Sequence, residues 1–222
     1  MSVRNTLNVG FHGIGEPART LEKGEPRYWV SEFQFHGLLD TFVGKTNLHI
    51  SFDDGNVSDY LIGFPALRER GLKATFFMVA ARLNRSGSLT REHLAEMHAA
   101  GMAVGTHGMD HRPWVGLSQV DRKRELIDAR RRLEDELEIE IDQAALPLGR
   151  YNRGLLGELR SLGYATVYTS DWRWAEADGW LQPRFTANTT HTPDSFWADA
   201  MHARSGLRRA RQAAVGTVKR LR

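Results

Sequence analysis

The sequence contains no cysteine, which excludes disulfide bonds and thiolate metal ligands. It also has no apolar run close to the roughly 20 residues that a membrane-spanning helix needs. Residues 1–7 lack the apolar core of a secretory signal. We therefore expect a cytoplasmic protein with a packed hydrophobic core and with oxygen or nitrogen donors at any metal site.

Acidic residues are missing from the C-terminal segment. After residue 200 the chain carries seven of its 30 basic residues, which leaves 23 basic against 27 acidic residues elsewhere. We divide the chain into a domain over 1–200 and a basic tail over 201–222. Apolar residues recur along 204–222 at every third or fourth position, which predicts an amphipathic helix able to contact an anionic membrane. A solvated helix or a docking element would show the same pattern, and nucleic acid is the less favoured partner.

Apolar, strand-like runs alternate with helical patterns along the chain. The runs lie near residues 7–12, 47–52, 73–79, 102–106 and 164–168. This alternation predicts an α/β fold with parallel strands and right-handed crossovers. Such folds place their chemistry at the carboxyl ends of the strands.

Two adjacent carboxylates, Asp53 and Asp54, end the second of these runs. Burying carboxylates costs free energy unless a cation or a reaction compensates them. An ordinary Asp-Gly turn is the simpler interpretation of this stretch taken alone.

His107 and His111 follow the strand-like run at 102–106, four residues apart. On a helix or in a tight loop this spacing turns both imidazoles toward one point. Position 108 is glycine, so the His-Glu-x-x-His helix of zinc proteases is absent. Two unrelated loop histidines would have the same spacing. Together with Asp54, however, they would make a three-ligand metal site with open positions for water, leaving Asp53 free for proton transfer.

Three segments in this order resemble the polysaccharide deacetylases of the NodB homology type (carbohydrate esterase 4). They are Ser-Phe-Asp-Asp-Gly at 51–55, Ala-Thr-Phe-Phe-Met-Val at 74–79 and Met-Ala-Val-Gly-Thr-His-Gly-Met-Asp-His at 102–111. The likeness covers about residues 7–190. It implies a distorted parallel (β/α) barrel that hydrolyses the N-acetyl group of an N-acetylated sugar in a polysaccharide, oligosaccharide or glycolipid precursor. Acetate would be released.

The resemblance also implies a role for each of the residues it matches. Asp54, His107 and His111 would be the metal ligands, and Asp53 the general base. The implied cofactor is a divalent metal ion, with Zn²⁺ favoured and Co²⁺, Ni²⁺ or Mn²⁺ compatible with the ligand set. A backbone N–H near residues 149–150 would help to hold the developing oxyanion.

The chain departs from the family pattern at two positions. Ala145 stands where members often carry an arginine that orients the base, and 184–186 replaces the usual Leu-x-His that supplies the acid. Four further residues are candidates for these roles: Asp171, Arg184, His191 and His12. A surface position is the more favoured interpretation of His191, whereas His12 ends the first strand on the expected rim. Arg184 would orient a carboxylate or lie at the surface, and Asp171 would orient the acid or form a turn.

Trp114 and Trp172 are the aromatic residues that best fit stacking on a sugar ring, although core packing explains such residues equally well. Two other functions remain open from the sequence. One is a non-catalytic glycan-binding protein on the same fold. The other is an amidohydrolase that acts on a non-sugar amide.

Overall fold

The computed structural model describes residues 5–203, which fold around one curved sheet. The strands are β1 (Asn5–Phe11), β2 (Gly13–Ile14), β3 (Trp29–Val30), β4 (Leu48–Asp54), β5 (Ala74–Met78), β6 (Ala103–Thr106), β7 (Gln143–Ala145), β8 (Thr166–Thr169), β9 (Ala175–Glu176), β10 (Leu181–Pro183) and β11 (Phe185–Thr186). The main sheet runs in the order β10-β8-β7-β6-β5-β4-β1-β11, with every pair parallel. Strand β9 pairs antiparallel with β1, and β2 with β3 forms a separate ladder.

The helices are α1 (Glu32–Phe42), α2 (Phe64–Glu69), α3 (Arg91–Ala99), α4 (Gln119–Lys123), α5 (Ala129–Leu137), α6 (Arg153–Ser161) and α7 (Pro193–His202). The side chains of Ser31, Thr90 and Ser118 accept backbone N–H bonds at the starts of α1, α3 and α4, as their positions in the sequence predict. Pro65 lies in the first turn of α2, which follows directly on a helical turn over Asp59–Gly63.

The sheet closes almost into a barrel because its two edge strands are consecutive in the chain. Strands β10 and β11 lie at opposite ends of the strand order, and only Arg184 separates them. The backbone N–H of Arg184 donates to the carbonyl of Thr169 on β8, while Ala187 donates to Gly10 on β1. The predicted distorted parallel barrel is therefore confirmed, with its seam at Arg184.

Two kinds of packing surround this sheet. On the outside, apolar residues of β1, β4 and β5 pack against helices, and Phe11, Phe35 and Phe52 form an aromatic cluster with ring centroids 5.1–5.9 Å apart. Inside the barrel, Phe77 and Tyr168 form a smaller buried cluster beneath the guanidinium of Arg184. A charged side chain thus lies in the barrel interior.

The last described residues pack on the rest of the fold. Helix α7 and Ala203 continue the packed body, since Ala200 and Ala203 are buried. Residues 204–222 of the predicted tail lie outside the described residues. Among residues 5–203, none of the helices combines the length and the apolar character required to cross a bilayer.

Candidate active site

A cavity of about 420 Å³ opens at the carboxyl ends of the parallel strands. Strand β4 ends in Asp53 and Asp54, and the loop after β6 carries His107 and His111. Because β4, β5 and β6 are neighbours in register, these two strand ends meet at one rim. The four side chains all line the cavity.

Asp54, His107 and His111 bring one potential ligand atom each to within 4.8 Å of the others. The Nε2 atoms of His111 and His107 lie 3.3 Å and 3.9 Å from Oδ1 of Asp54. The backbones of Asp54 and His111 have φ angles of 77° and 55°, a left-handed conformation that costs about 1–3 kcal/mol per non-glycine residue. The fold therefore holds both residues in conformations that the isolated chain avoids.

The hydrogen bonds around the two histidines leave Nε2 of each ring directed toward Asp54. Nδ1 of His107 lies 2.8 Å from the carbonyl of Ala145, so this nitrogen carries the proton. Nδ1 of His111 lies 2.8 Å from Oε2 of Glu22, which fixes the same tautomer. Burial lowers the pKa of His107 to about 4, so its imidazole is neutral and able to bind a metal.

The carboxylate of Asp54 is suited to bind a cation. It is fully buried, and neither carboxylate oxygen has a hydrogen-bond partner among the described residues. Burial would raise the pKa of this carboxyl, but His111, His12, His107 and Arg82 together lower it below its ordinary value. Unpartnered buried carboxylate oxygens are costly, and two imidazole nitrogens beside them complete a donor set that suits a divalent cation. These residues fit the implied metal ion.

Asp53 is held by a buried arginine that the family pattern places elsewhere. Nη1 and Nη2 of Arg184 donate to Oδ1 and Oδ2 of Asp53 at 2.6 Å and 2.7 Å, and Nη1 also donates to Ser51. Arg184 is 1% exposed, so a surface position for it is wrong. Burial would raise the pKa of Asp53, but Arg184 and His107 outweigh it and hold that pKa well below its usual range. Asp53 is therefore ionised at neutral pH.

His12 lies on the cavity wall at the end of β1, on the rim that the sequence predicts. Its ring stacks on Tyr28 with centroids 5.1 Å apart, and the guanidinium of Arg27 lies 4.9 Å from the centroid of the Tyr28 ring. The Nδ1 atom of His12 is buried without a hydrogen-bond partner among the described residues. His12 therefore lines the same cavity as Asp53 and Asp54.

The two remaining candidates, His191 and Asp171, are held by ring packing and by hydrogen bonds. His191 is 4% exposed, which corrects the expected surface position. Its ring packs on Trp172 and Phe196, and its Nδ1 accepts the N–H of Asn188. The carboxylate of Asp171 accepts hydrogen bonds from Tyr151 and Thr169. These two hydrogen bonds indicate a structural role for Asp171, which lies between β8 and the cavity.

The other walls of the cavity contain Leu148, Gly149, Ser170 and Trp172. Trp172 is partly exposed and lines the cavity, whereas Trp114 is fully buried, so stacking of a sugar on Trp114 is wrong. The N–H of Gly149 donates to Leu146 O at 3.0 Å and that of Arg150 to Pro147 O at 3.5 Å. The expected oxyanion donors at 149–150 are therefore engaged within their own turn.

Glu125 supports the histidine loop, and the sequence reasoning missed it. It is fully buried in a helical turn between α4 and α5, and burial raises its pKa. Its carboxylate accepts the backbone N–H of Met109 at 2.8 Å and that of Asp110 at 3.1 Å. The helical segment around Glu125 carries many charged residues beside an apolar stripe that contains Leu126 and Leu133. Nothing in the sequence therefore distinguishes the buried Glu125 from its charged neighbours.

Comparisons with known proteins give the chain's relatives. The sequence model described as "Polysaccharide deacetylase" matches residues 43–167. YxkH of Bacillus subtilis (strain 168), a protein assigned to the polysaccharide deacetylases, is 30% identical over 122 residues. That match covers 55% of this chain and 44% of YxkH, so the chain spans less than half the length of this relative.

Several solved structures share the fold at low sequence identity. The Streptococcus pyogenes deacetylase PplD, solved in complex with acetate, has a TM-score of 0.76 at 19% identity, covering 89% of this chain and 99% of PplD. The polysaccharide deacetylase BC0361 from Bacillus cereus has a TM-score of 0.76 at 17% identity, with coverage of 88% and 69%. IcaB from Ammonifex degensii has a TM-score of 0.68 at 23% identity, with coverage of 90% and 97%. The profile match over more than half of the residues, on a barrel of this kind, shows that the chain belongs to the polysaccharide deacetylase family.

Proposed function

We propose that this protein is a metal-dependent hydrolase that removes the N-acetyl group from an N-acetylated sugar and releases acetate. The observation that carries the proposal is the arrangement around β4. Neither carboxylate oxygen of Asp54 has a hydrogen-bond partner among the described residues, and Oδ1 lies near His107 and His111, while the adjacent Asp53 is separately held by Arg184. Two neighbouring acids thus have different surroundings, which suits one as a ligand and the other as a base.

The base in this proposal is Asp53. Asp54, His107 and His111 would hold a divalent cation, zinc being favoured, which would supply a Lewis acid and lower the pKa of water to about 7 from 15.7. Asp53 takes a proton from the attacking water, because its carboxylate lines the same cavity as the three proposed ligands and is ionised. Arg184 holds both carboxylate oxygens in place and keeps the base form populated. The cost is a weaker proton affinity of Asp53.

Two further residues complete the proposed cycle. We assign the proton donor for the departing nitrogen to His12, whose side chain lines the cavity at the end of β1. The backbone N–H of Leu148, in the turn that lines the cavity, is our candidate to donate to the developing oxyanion. Leu148 adopts φ 55°, and strained backbone of this kind occurs at functional sites.

The proposed substrate is an acetamido sugar in a polysaccharide, oligosaccharide or glycolipid precursor. Family membership supports it, and the structure of the related PplD was determined with acetate, the product expected here. Trp172 offers an aromatic face beside the cavity for a sugar ring.

Acetate release from a panel of N-acetylated oligosaccharides tests the function. We expect turnover by the zinc-loaded protein, its loss on chelation, and a drop of about 10²–10⁴-fold in kcat for Asp53→Asn and for His12→Gln. Glu16→Ala, on the exposed loop before β3, is the matched control. Binding of the oligosaccharide without turnover would favour the glycan-binding alternative, and turnover of non-sugar amides alone would favour the second alternative.

We further propose that the basic segment 204–222 brings the enzyme to anionic membranes, where a lipid-linked glycan would be available. Support comes from the charge of this segment, which carries all seven basic residues that follow residue 200 and no acidic residue. A cytoplasmic location belongs to the same proposal. Cell fractionation with an antibody against the protein would test it.

A further inference from the structure

We propose that Glu22 is a positioning residue for the metal ligand His111, and that it joins one wall of the cavity to the metal site. This inference rests on the proposed metal site. Glu22 lies 89 positions before His111, in the loop between β2 and β3. Neither the matched motifs nor the spacing of charges in the sequence indicates the contact.

The contact is a hydrogen bond between the carboxylate and the outer nitrogen of the imidazole. Oε2 of Glu22 accepts from Nδ1 of His111 at 2.8 Å, and Nε2 of the same ring lies 3.3 Å from Oδ1 of Asp54. A carboxylate on the outer nitrogen of a ligating histidine fixes the tautomer and ring orientation and makes the inner nitrogen a stronger ligand. Glu22 is therefore placed where such a partner acts.

His111 needs external support more than an ordinary ligand does. Its φ of 55° is a left-handed conformation that is unfavourable for a residue with a side chain. The ring of His107, which lies 5.2 Å away, is instead held by the backbone carbonyl of Ala145 inside the barrel. One histidine is thus supported by the sheet, and the other by a side chain from a distant loop.

Glu22 is itself held in place from two directions. Its Oε1 forms an ion pair with Nη2 of Arg82, whose Nη1 lies 3.5 Å from Oδ1 of Asp54. Its backbone N–H donates to Oε2 of Glu25 at 2.7 Å, and Glu25 is a buried carboxylate paired with Arg19. These bonds keep the half-exposed Glu22 side chain directed at the site.

The same loop forms a wall of the cavity. The residues from Glu22 to Glu25 line it, together with Arg27 and Tyr28. Since Tyr28 stacks on His12, this loop contacts both the metal ligand His111 and the proposed proton donor. Removal of the Glu22 carboxylate should therefore weaken metal binding more than it lowers the stability of the barrel.

Zinc affinity, measured by competition with a chromophoric chelator, tests the inference without substrate. We expect Glu22→Ala to weaken zinc binding about 10–100-fold, the range for loss of such partners. Glu22→Gln keeps an acceptor oxygen and should lose less. Glu16→Ala, from an exposed glutamate of the same loop, should bind zinc as the natural protein does. The visible spectrum of the Co²⁺-loaded protein should change in Glu22→Ala, because the geometry of one ligand changes.

The outcomes separate this inference from the proposed function. A zinc dissociation constant of Glu22→Ala within twofold of the natural protein overturns the inference, as does a Glu22→Gln variant that binds no better than Glu22→Ala. Thermal unfolding of the metal-free variants shows whether they are folded, and a variant that unfolds earlier while keeping its zinc affinity also overturns it. Failure of the natural protein to bind zinc overturns the metal site and this inference together. Zinc binding without acetate release contradicts the proposed activity alone.

Discussion

At the scale of single residues, the site depends on charges that are buried in pairs. Asp53 and Arg184 are both nearly inaccessible to water and share two hydrogen bonds. Removing one partner of such a pair is costly because it leaves the other charge buried alone. Arg184 reaches Asp53 from the barrel seam, whereas the alanine at 145 has no side-chain donor that could pair with this carboxylate.

Replacing Arg184 by methionine should reduce the free energy of unfolding by about 3–5 kcal/mol, since a buried carboxylate loses the guanidinium that pairs with it. The double variant Arg184→Met with Asp53→Asn should recover part of this loss, because no unpaired charge remains. Urea denaturation measures both. Arg85→Met, at an exposed arginine, is the control and should change stability by no more than about 0.5 kcal/mol. Equal stability of the single and double variants would contradict a cost of leaving the Asp53 carboxylate buried and unpaired.

His49 should make the protein less stable in mild acid. Burial, assisted by Arg184, lowers the pKa of His49 to about 4 from 6.5. The unfolded chain therefore binds a proton more readily than the folded one, so stability is lost as the pH falls from about 6.5 toward 4. This residue alone should reduce the free energy of unfolding by about 2 kcal/mol between pH 7.5 and pH 5. Urea denaturation of His49→Gln should show a correspondingly smaller loss over the same range. An unchanged pH slope in that variant would refute the assignment.

At the scale of elements, the loop after β6 is shaped by the helix that packs behind it. Glu125 accepts two backbone N–H groups of the loop, and Gly108 between the ligands adopts φ 82°. A Cβ atom on Gly108 would lie 2.4 Å from Oε2 of Glu125 and 2.8 Å from Nε1 of Trp114. Glycine at 108 is therefore required by both backbone conformation and space.

The variant Gly108→Ala should lose stability and zinc affinity together. Its cost should exceed the roughly 1–3 kcal/mol of a strained backbone, because Glu125 must also move away from the loop. Gly116→Ala is the matched control, since Gly116 has φ 74° but open space around its Cβ position. Denaturation and zinc titration measure the two quantities. Equal effects of the two substitutions would show that the contact with Glu125 is unimportant.

At the scale of the whole molecule, the described residues form a nearly closed barrel whose rim carries the site. The seven basic residues that follow residue 200 lie outside this described part of the chain. Residues 5–203 contain all of the proposed catalytic groups. The seven basic residues after residue 200 all fall within 204–222, so the charge that would attract an anionic surface is separate from the cavity. Catalysis and membrane contact should therefore be separable.

Deleting 204–222 should lower binding to vesicles that contain anionic lipid, since each basic residue near such a surface contributes about 1 kcal/mol. Co-sedimentation at two salt concentrations measures the effect, and binding should weaken as salt rises. Vesicles of neutral phosphatidylcholine are the control. Acetate release from a water-soluble oligosaccharide should be unchanged by the deletion. Vesicle binding that survives it would contradict a role for this segment.

Much of the fold could be predicted because local chemistry determines it. Apolar runs indicated the parallel strands, and Ser31, Thr90 and Ser118 marked helix starts through bonds made within four residues. Helix α7 and the short strand β9 were not predicted. Strand β9 is two residues long and depends on its pairing with β1, which no local pattern reveals.

The sequence by itself determined the family, the strand-end position of Asp53 and Asp54, and the histidine pair at 107 and 111, because these lie in contiguous motifs. Only the tertiary structure decided which distant groups serve them. Arg184 reaches Asp53 across 131 positions, and Glu22 reaches His111 across 89. Barrel closure and a folded loop create these contacts, and the side chains involved look like ordinary surface charges in the sequence. Short-range order is encoded in neighbouring residues, whereas the pairing of buried charges depends on which surfaces the fold removes from water.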